Sequence, residues 1–206
     1  MRRHRHLTLH EQQRLISESI AWQGFALCHV LASAHEPAYS YTVGLARPDA
    51  QRPELVISGL ATELRVAWLL DLGFRMQGPP PLETRRRIAQ DLGLARDALR
   101  FPPGGEVFEP GKRYRDLAAH GLPTCFARLD PACYHTHLGQ AVVFHGSCAF
   151  PVLQVIWPDP RGFFPWEASF DRRFAGMQRL LFDPSSLGQA SADVIRPDGD
   201  GEERQF

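Results

Sequence analysis

Long apolar runs are missing from this 206-residue chain: no stretch approaches the ~20 residues that a membrane-spanning helix needs. Net charge is missing too, because 23 basic residues balance 23 acidic ones. That excludes the whole-protein electrostatic footprint of a nucleic-acid or anionic-membrane binder. Cysteine is scarce, with only Cys28, Cys125, Cys133 and Cys148, and their spacing is not that of a disulfide scaffold. The start "MRRHRHLTLHEQQ" is basic but has no apolar stretch behind it, so it does not read as a secretory signal. No internal repeat is found. These absences predict a cytoplasmic protein with reduced thiols and with neither membrane nor nucleic acid as a partner; they leave the oligomeric state open.

What is present is an ordinary globular composition, 44% hydrophobic, 22% charged and 10% aromatic, in a chain long enough for one domain with a full core. "TLHE" at 8–11 fits a capping box opening a helix that runs to about Trp22 and stops at Gly24. "FALCHVLA" (25–32), "AYSYTVGL" (38–45) and "ELVISGL" (54–60) read as strands, and Thr62 as the cap of a helix over "ELRVAWLLDLGF". After the breaker "GPPP", residues 79–100 read as a charged helical insertion whose arginines form a solvated face. Residues 101–114 are a loop rich in glycine and proline. Further strands are expected over 122–129, 139–146 and 151–157, then a last helix capped by Asp171. Residues 183–206 lack periodic apolar positions and read as a flexible tail behind a single domain over 1–182. The fold class this implies is α+β, with a mostly antiparallel sheet, split-barrel-like in its strand–loop–strand pattern, and flanking helices.

Four motifs in order, "AYSYTVGL…RPELVISGL", "GEVFEPGKRY", "FPVLQVIWPDPRGFFPWE" and "MQRLL", resemble the bacterial family called domain of unknown function 4262 over roughly residues 15–182. The 79–100 segment looks like an addition to it, and the tail lies outside it. The resemblance supports the domain assignment and implies no activity and no catalytic residue.

Candidate chemistry therefore rests on the residues themselves. If the second and third strands pair, Ser40, Thr42 and Ser58 form a hydroxyl patch beside glycines, suited to a phosphate or a carbonyl-rich ring. Arg47, Lys112 and Arg113 would supply positive charge, with Arg52 in the same strand loop as Arg47. Trp157 or Trp166 would form an apolar wall. The ligand expected is a small molecule, a flavin or another phosphate-bearing compound, and a flavin would make the protein an oxidoreductase. The alternative is a protein-interaction module without catalysis, on an exposed docking face. A third reading is metal binding, with zinc behind flavin: "CYHTH" would show Cys133, His135 and His137 on one face if extended, with His145 and Cys148 following. Paired ligand spacing is absent, as are a G-x-S-x-G elbow and a P-loop. Cys125 reads as a small buried hydrophobe, and Asp159 as a structural corner bonding nearby backbone amides.

Overall fold

The computed structural model describes residues 7–47, 52–91, 101–115, 117, 123–182 and 194–195. Helix α1 spans Leu9–Gln23. The Thr8 hydroxyl accepts from the Glu11 N–H at 3.2 Å and the Glu11 carboxylate from the Thr8 N–H at 2.8 Å, so both halves of the capping box are made. The helix ends where Gly24 takes a left-handed φ of 98°. Strands β1 (Ala26–Val30), β2 (Tyr39–Val43) and β3 (Glu54–Ser58) follow, then α2 (Thr62–Gln77) and α3 (Leu82–Asp91). The second half holds β4 (Arg113–Tyr114), β5 (Thr124–Arg128), α4 (Tyr134–His137), α5 (Gly139–His145) and β6 (Val152–Ile156).

The strands form one open sheet in the order β1-β2-β3-β6-β5-β4, with the two-residue β7 (Val194–Ile195) beside β4. Neighbours are antiparallel except β3–β6 and β4–β7, which are parallel. The expectation of a mostly antiparallel, barrel-like sheet is therefore corrected: the sheet is mixed and unclosed. The long excursion from β3 to β6, with α2 in it, supplies the length that a parallel crossover needs.

One face carries Leu55 and Ile57 against Trp68, Leu69 and Leu72 of α2, with Leu153, Val155 and Phe126. The other carries Tyr39, Tyr41, Val43 and Val56 against Ile16 of α1 and Tyr134, Leu138 and Ala141 of α4–α5. Toward the far edge, Phe164 packs on Cys125, Ala127 and Ile156. Among the described residues no helix is long and apolar enough to cross a membrane.

Other local expectations change as well. "GQAVVFHG" is helix α5, closed by Gly146 at φ 68°. Short apolar runs do not separate strand from helix by periodicity. Residues 131–137 are helical too, a 3₁₀ turn capped by the Asp130 carboxylate leading into α4. Asp171 caps as expected, but only the 3₁₀ turn Arg172–Phe174. Thr62 is the first residue of α2, and Ala61 holds the cap position. Residues 92–100, which complete the helical-insertion segment, and most of the 183–206 tail lie outside the described residues.

Candidate functional site

The hydroxyl patch is not assembled. Tyr39 is the register partner of Ser58, and Ser40 that of Ile57, so Ser58 lies on the opposite face from Ser40 and Thr42. All three are buried and engaged inside the protein. Ser58 Oγ donates to the Arg179 carbonyl at 2.9 Å and accepts from the Arg179 N–H at 3.0 Å. Thr42 donates to Glu54 Oε2 at 2.6 Å and accepts from the Leu55 N–H at 2.8 Å.

The basic and aromatic candidates are likewise dispersed. Lys112 pairs with Glu109 at 2.5 Å, while Arg113 pairs with Glu167 at 2.9 Å and lies over the Phe164 ring. Arg47 is exposed on the β2–β3 loop. Trp157 is buried and donates its indole N–H to the Ser58 carbonyl. Trp166 stacks on Phe164. Asp159, fully buried, accepts from the N–H groups of Arg161, Phe163 and Asp171, the corner that the proline-rich loop predicted.

The Cys/His cluster splits for a geometric reason: in a helix, positions i, i+2 and i+4 do not share one face. Cys148 Sγ lies 3.4 Å from His135 Nε2. His137 Nδ1 is 3.1 Å from the Cys133 carbonyl. His145 Nε2 is 2.8 Å from Glu54. Among the described residues no group of three or more His, Cys, Asp or Glu is arranged to hold a metal ion.

Two buried charges that sequence reasoning passed over organise this half of the sheet. The Glu54 carboxylate, fully buried, accepts from Thr42, the Gly44 and Ala46 N–H groups and His145. Arg65, 2% exposed, donates to the Gly59 and Leu60 carbonyls, to Thr62 Oγ1 and to Ser40 Oγ. Because Ser40 accepts from Arg65 Nε at 2.9 Å, its own proton is available to His29 Nδ1 at 2.8 Å. Burial, and then the Arg65 charge, lower the His29 pKa, which favours the neutral ring. One signal for Arg65 was legible: it stands in the buried stripe that continues as Trp68, Leu69 and Leu72, an i, i+3, i+4, i+7 pattern.

A concavity with a volume of about 700 Å³ lies at the β1 edge, between α1, β1–β2 and the α4–α5 junction, within the range of small-molecule sites. Ile16, Leu27, Val30, Tyr39 and Tyr41 supply apolar wall, and none of the described residues lining it is Asp, Glu, Lys or Arg. Burial pushes the Cys28 thiol in this wall up to about 11, outside the range of an activated nucleophile at neutral pH. Gln12 donates to the Leu7 carbonyl, which turns its oxygen toward the Gln140 amide N–H at 2.7 Å. Gln140 Oε1 is thereby left shielded and unpaired among the described residues, and so is His137 Nε2. The Glu36 carboxylate approaches His137 Nε2 to 3.6 Å, beyond hydrogen-bonding distance. Each such buried orphan costs about 1–3 kcal/mol. Both residues line the cleft, and Tyr41 Oη accepts from the Gln140 backbone N–H between them and the sheet.

Neither the curated proteins nor the solved structures contain a match to this chain. The sequence model of one family matches residues 19–95 and 92–171, most of the chain and most of the sheet described above. The chain therefore belongs to the family described as Domain of unknown function (DUF4262).

Proposed function

We propose that the protein binds a small molecule in the cleft between α1, the β1–β2 edge and the α4–α5 junction. The observation that carries this reading is the pair of shielded, unpartnered polar atoms, His137 Nε2 and Gln140 Oε1, in residues lining a cavity of about 700 Å³. Buried polar groups are almost always satisfied, and two orphans in one ligand-sized wall mark a place where a partner is missing. The absence of lysine and arginine from the described lining argues against a phosphate-bearing ligand there. A flavin phosphate held by Arg47, Lys112 and Arg113 is therefore not part of this reading. No catalytic group is assigned.

The test is ligand-observed NMR with a fragment library on the full chain, repeated on Gln140→Met and Tyr39→Ala. Fragments that bind the wild type and are lost from both variants support the cleft. A library that gives no binder, or binders indifferent to both substitutions, overturns it.

The interaction-module reading has one observation in its favour. Leu15 at 41%, Val143 at 50% and Phe144 at 40% exposure place apolar side chains on α1 and α5 beside the same cleft. Single exposed apolar residues are normal, so this reading ranks second.

A further inference from the structure

The four thiols differ in their surroundings. Cys28 and Cys125 stand on β1 and β5, where burial pushes both thiols up to about 11. Cys133 and Cys148 are partly exposed, one on the 3₁₀ turn before α4 and the other in the loop after α5. Among the described residues, Cys148 alone of the four has an imidazole within hydrogen-bonding distance, with His135 Nε2 at 3.4 Å. His137 and His145 are turned elsewhere, to the Cys133 carbonyl and to Glu54. His135 is exposed, so its ring can exchange protons with solvent. The loop that carries Cys148 is shaped by Gly146 at φ 68° and by the Ala149 N–H donating to Ser147 Oγ at 3.2 Å. The charged and titratable groups gathered there are few. The Tyr134 hydroxyl, which donates to the Phe150 carbonyl at 3.2 Å, feels Cys148, Arg128 and Asp130.

We propose that Cys148 and His135 form a thiol-oxidation site for hydroperoxides. The thiol proton passes to His135 Nε2, leaving a thiolate beside an imidazolium. Sγ then attacks the terminal peroxide oxygen, and an S–O bond forms as the O–O bond breaks. The sulfur loses two electrons and the peroxide gains them. The hydroxide or alkoxide that leaves takes the proton back from His135, so the products are a Cys148 sulfenic acid and water or an alcohol. A hydroperoxide suits the pair better than an alkyl halide, because its leaving oxygen is strongly basic and uses the proton that the ring holds. The reaction needs no ligand in the cleft. Its size can be bounded: an ordinary thiol is about 3% thiolate at pH 7, so full proton transfer raises the rate by at most about thirtyfold. The weaker nucleophilicity of a stabilised thiolate trims this to about tenfold.

The experiment treats the reduced full chain with limiting hydrogen peroxide, traps sulfenic acid with dimedone, and locates the adduct by peptide mass spectrometry. At pH 7, Cys148 should be trapped about tenfold faster than Cys133, the other partly exposed thiol. His135→Ala should remove that margin while the Cys133 rate stays unchanged. At pH 9.5, where ordinary thiols are mostly ionised, wild type and variant should converge at Cys148. Silence of Cys28 and Cys125 in the same digests reports that the chain is folded. Cys148 reacting no faster than Cys133 overturns the proposal, and should the variant fail to fold, this wild-type comparison still decides. A margin that survives His135→Ala, or a loss in the variant that persists at pH 9.5, also overturns it, because access rather than proton transfer would then set the rate.

Discussion

Arg65 is the side chain on which most local polar structure converges. It is a buried cation whose hydrogen-bond partners among the described residues are two carbonyls and two hydroxyls, with no carboxylate among them. Removing it would orphan acceptors at the end of β3 and release Ser40 from one of its two partners. Arg65→Met, which keeps the apolar stem, should lower unfolding free energy by about 3 kcal/mol in urea titrations. A loss below 1 kcal/mol would mean that the guanidinium is not held as described. His29 gives the pH signature of the same chain of contacts. Its folded pKa lies below the ordinary value of 6.5, so the unfolded ring takes up a proton first as the pH falls. The stability tied to the neutral ring is complete above about 6.5 and is lost as pH drops toward the depressed folded value. Unfolding midpoints between pH 7.5 and 5 should therefore fall less steeply for His29→Gln than for the wild type; parallel profiles would contradict this account. At this scale the sequence was a poor guide to roles. Ser40, Thr42 and Ser58 were visible as hydroxyls out of place in strands. Whether a hydroxyl faces a ligand or a buried arginine depends on strand register and on α2, neither of which alternation specifies.

The elements themselves were more legible, where local chemistry decides them. The Thr8–Glu11 capping box and the Gly24 stop bound α1 where the sequence places them, and the strands over 26–30, 39–43, 54–58 and 152–156 fall inside their expected ranges. The failures share a cause. Residues 139–145 and 131–137 are short segments whose apolar positions fit either period, and tertiary burial of Tyr134, Leu138 and Ala141 settles them as helix. The metal reading depended on an extended "CYHTH" and was dispersed by the same outcome. Between elements, α2 offers a sharp packing test. A Cβ on Gly73 would lie 2.5 Å from the Phe25 ring, and Phe25 is fully buried in close-packed surroundings. Gly73→Ala, although it favours helix locally, should therefore destabilise by about 1–3 kcal/mol. A stabilised variant in thermal melts would show that Phe25 has room to retreat.

Across the whole molecule, the α+β class was legible because several strands are interleaved with only a few helices, while the sheet's mixed character was not. Nothing in 54–58 or 152–156 states that they run side by side in the same direction. That pairing is a choice of topology, made once α2 covers one face and α1 with α4–α5 the other. The cleft is a product of the same layering. Its walls come from segments that begin at Leu7 and end at Val143, and the unpaired Gln140 oxygen emerges only when Gln12 and Gln140, 128 positions apart, meet.

The β3–β6 seam also has a consequence for how the protein is made. The register joins Glu54 to Val152 and Ile57 to Val155, so the middle of the sheet waits for residues synthesised about a hundred codons later. At ~20 residues per second, the fast end of translation speeds, that is about five seconds. Throughout this interval the nascent chain carries a hairpin assembly ending in β3, whose Leu55, Val56 and Ile57 are fully buried in the finished protein. An open apolar strand edge of this kind is a template for wrong pairing. The ribosome-bound intermediate is thus the stage at which this protein most needs a chaperone, and a chain interrupted before β6 is one that the cell should find aggregated.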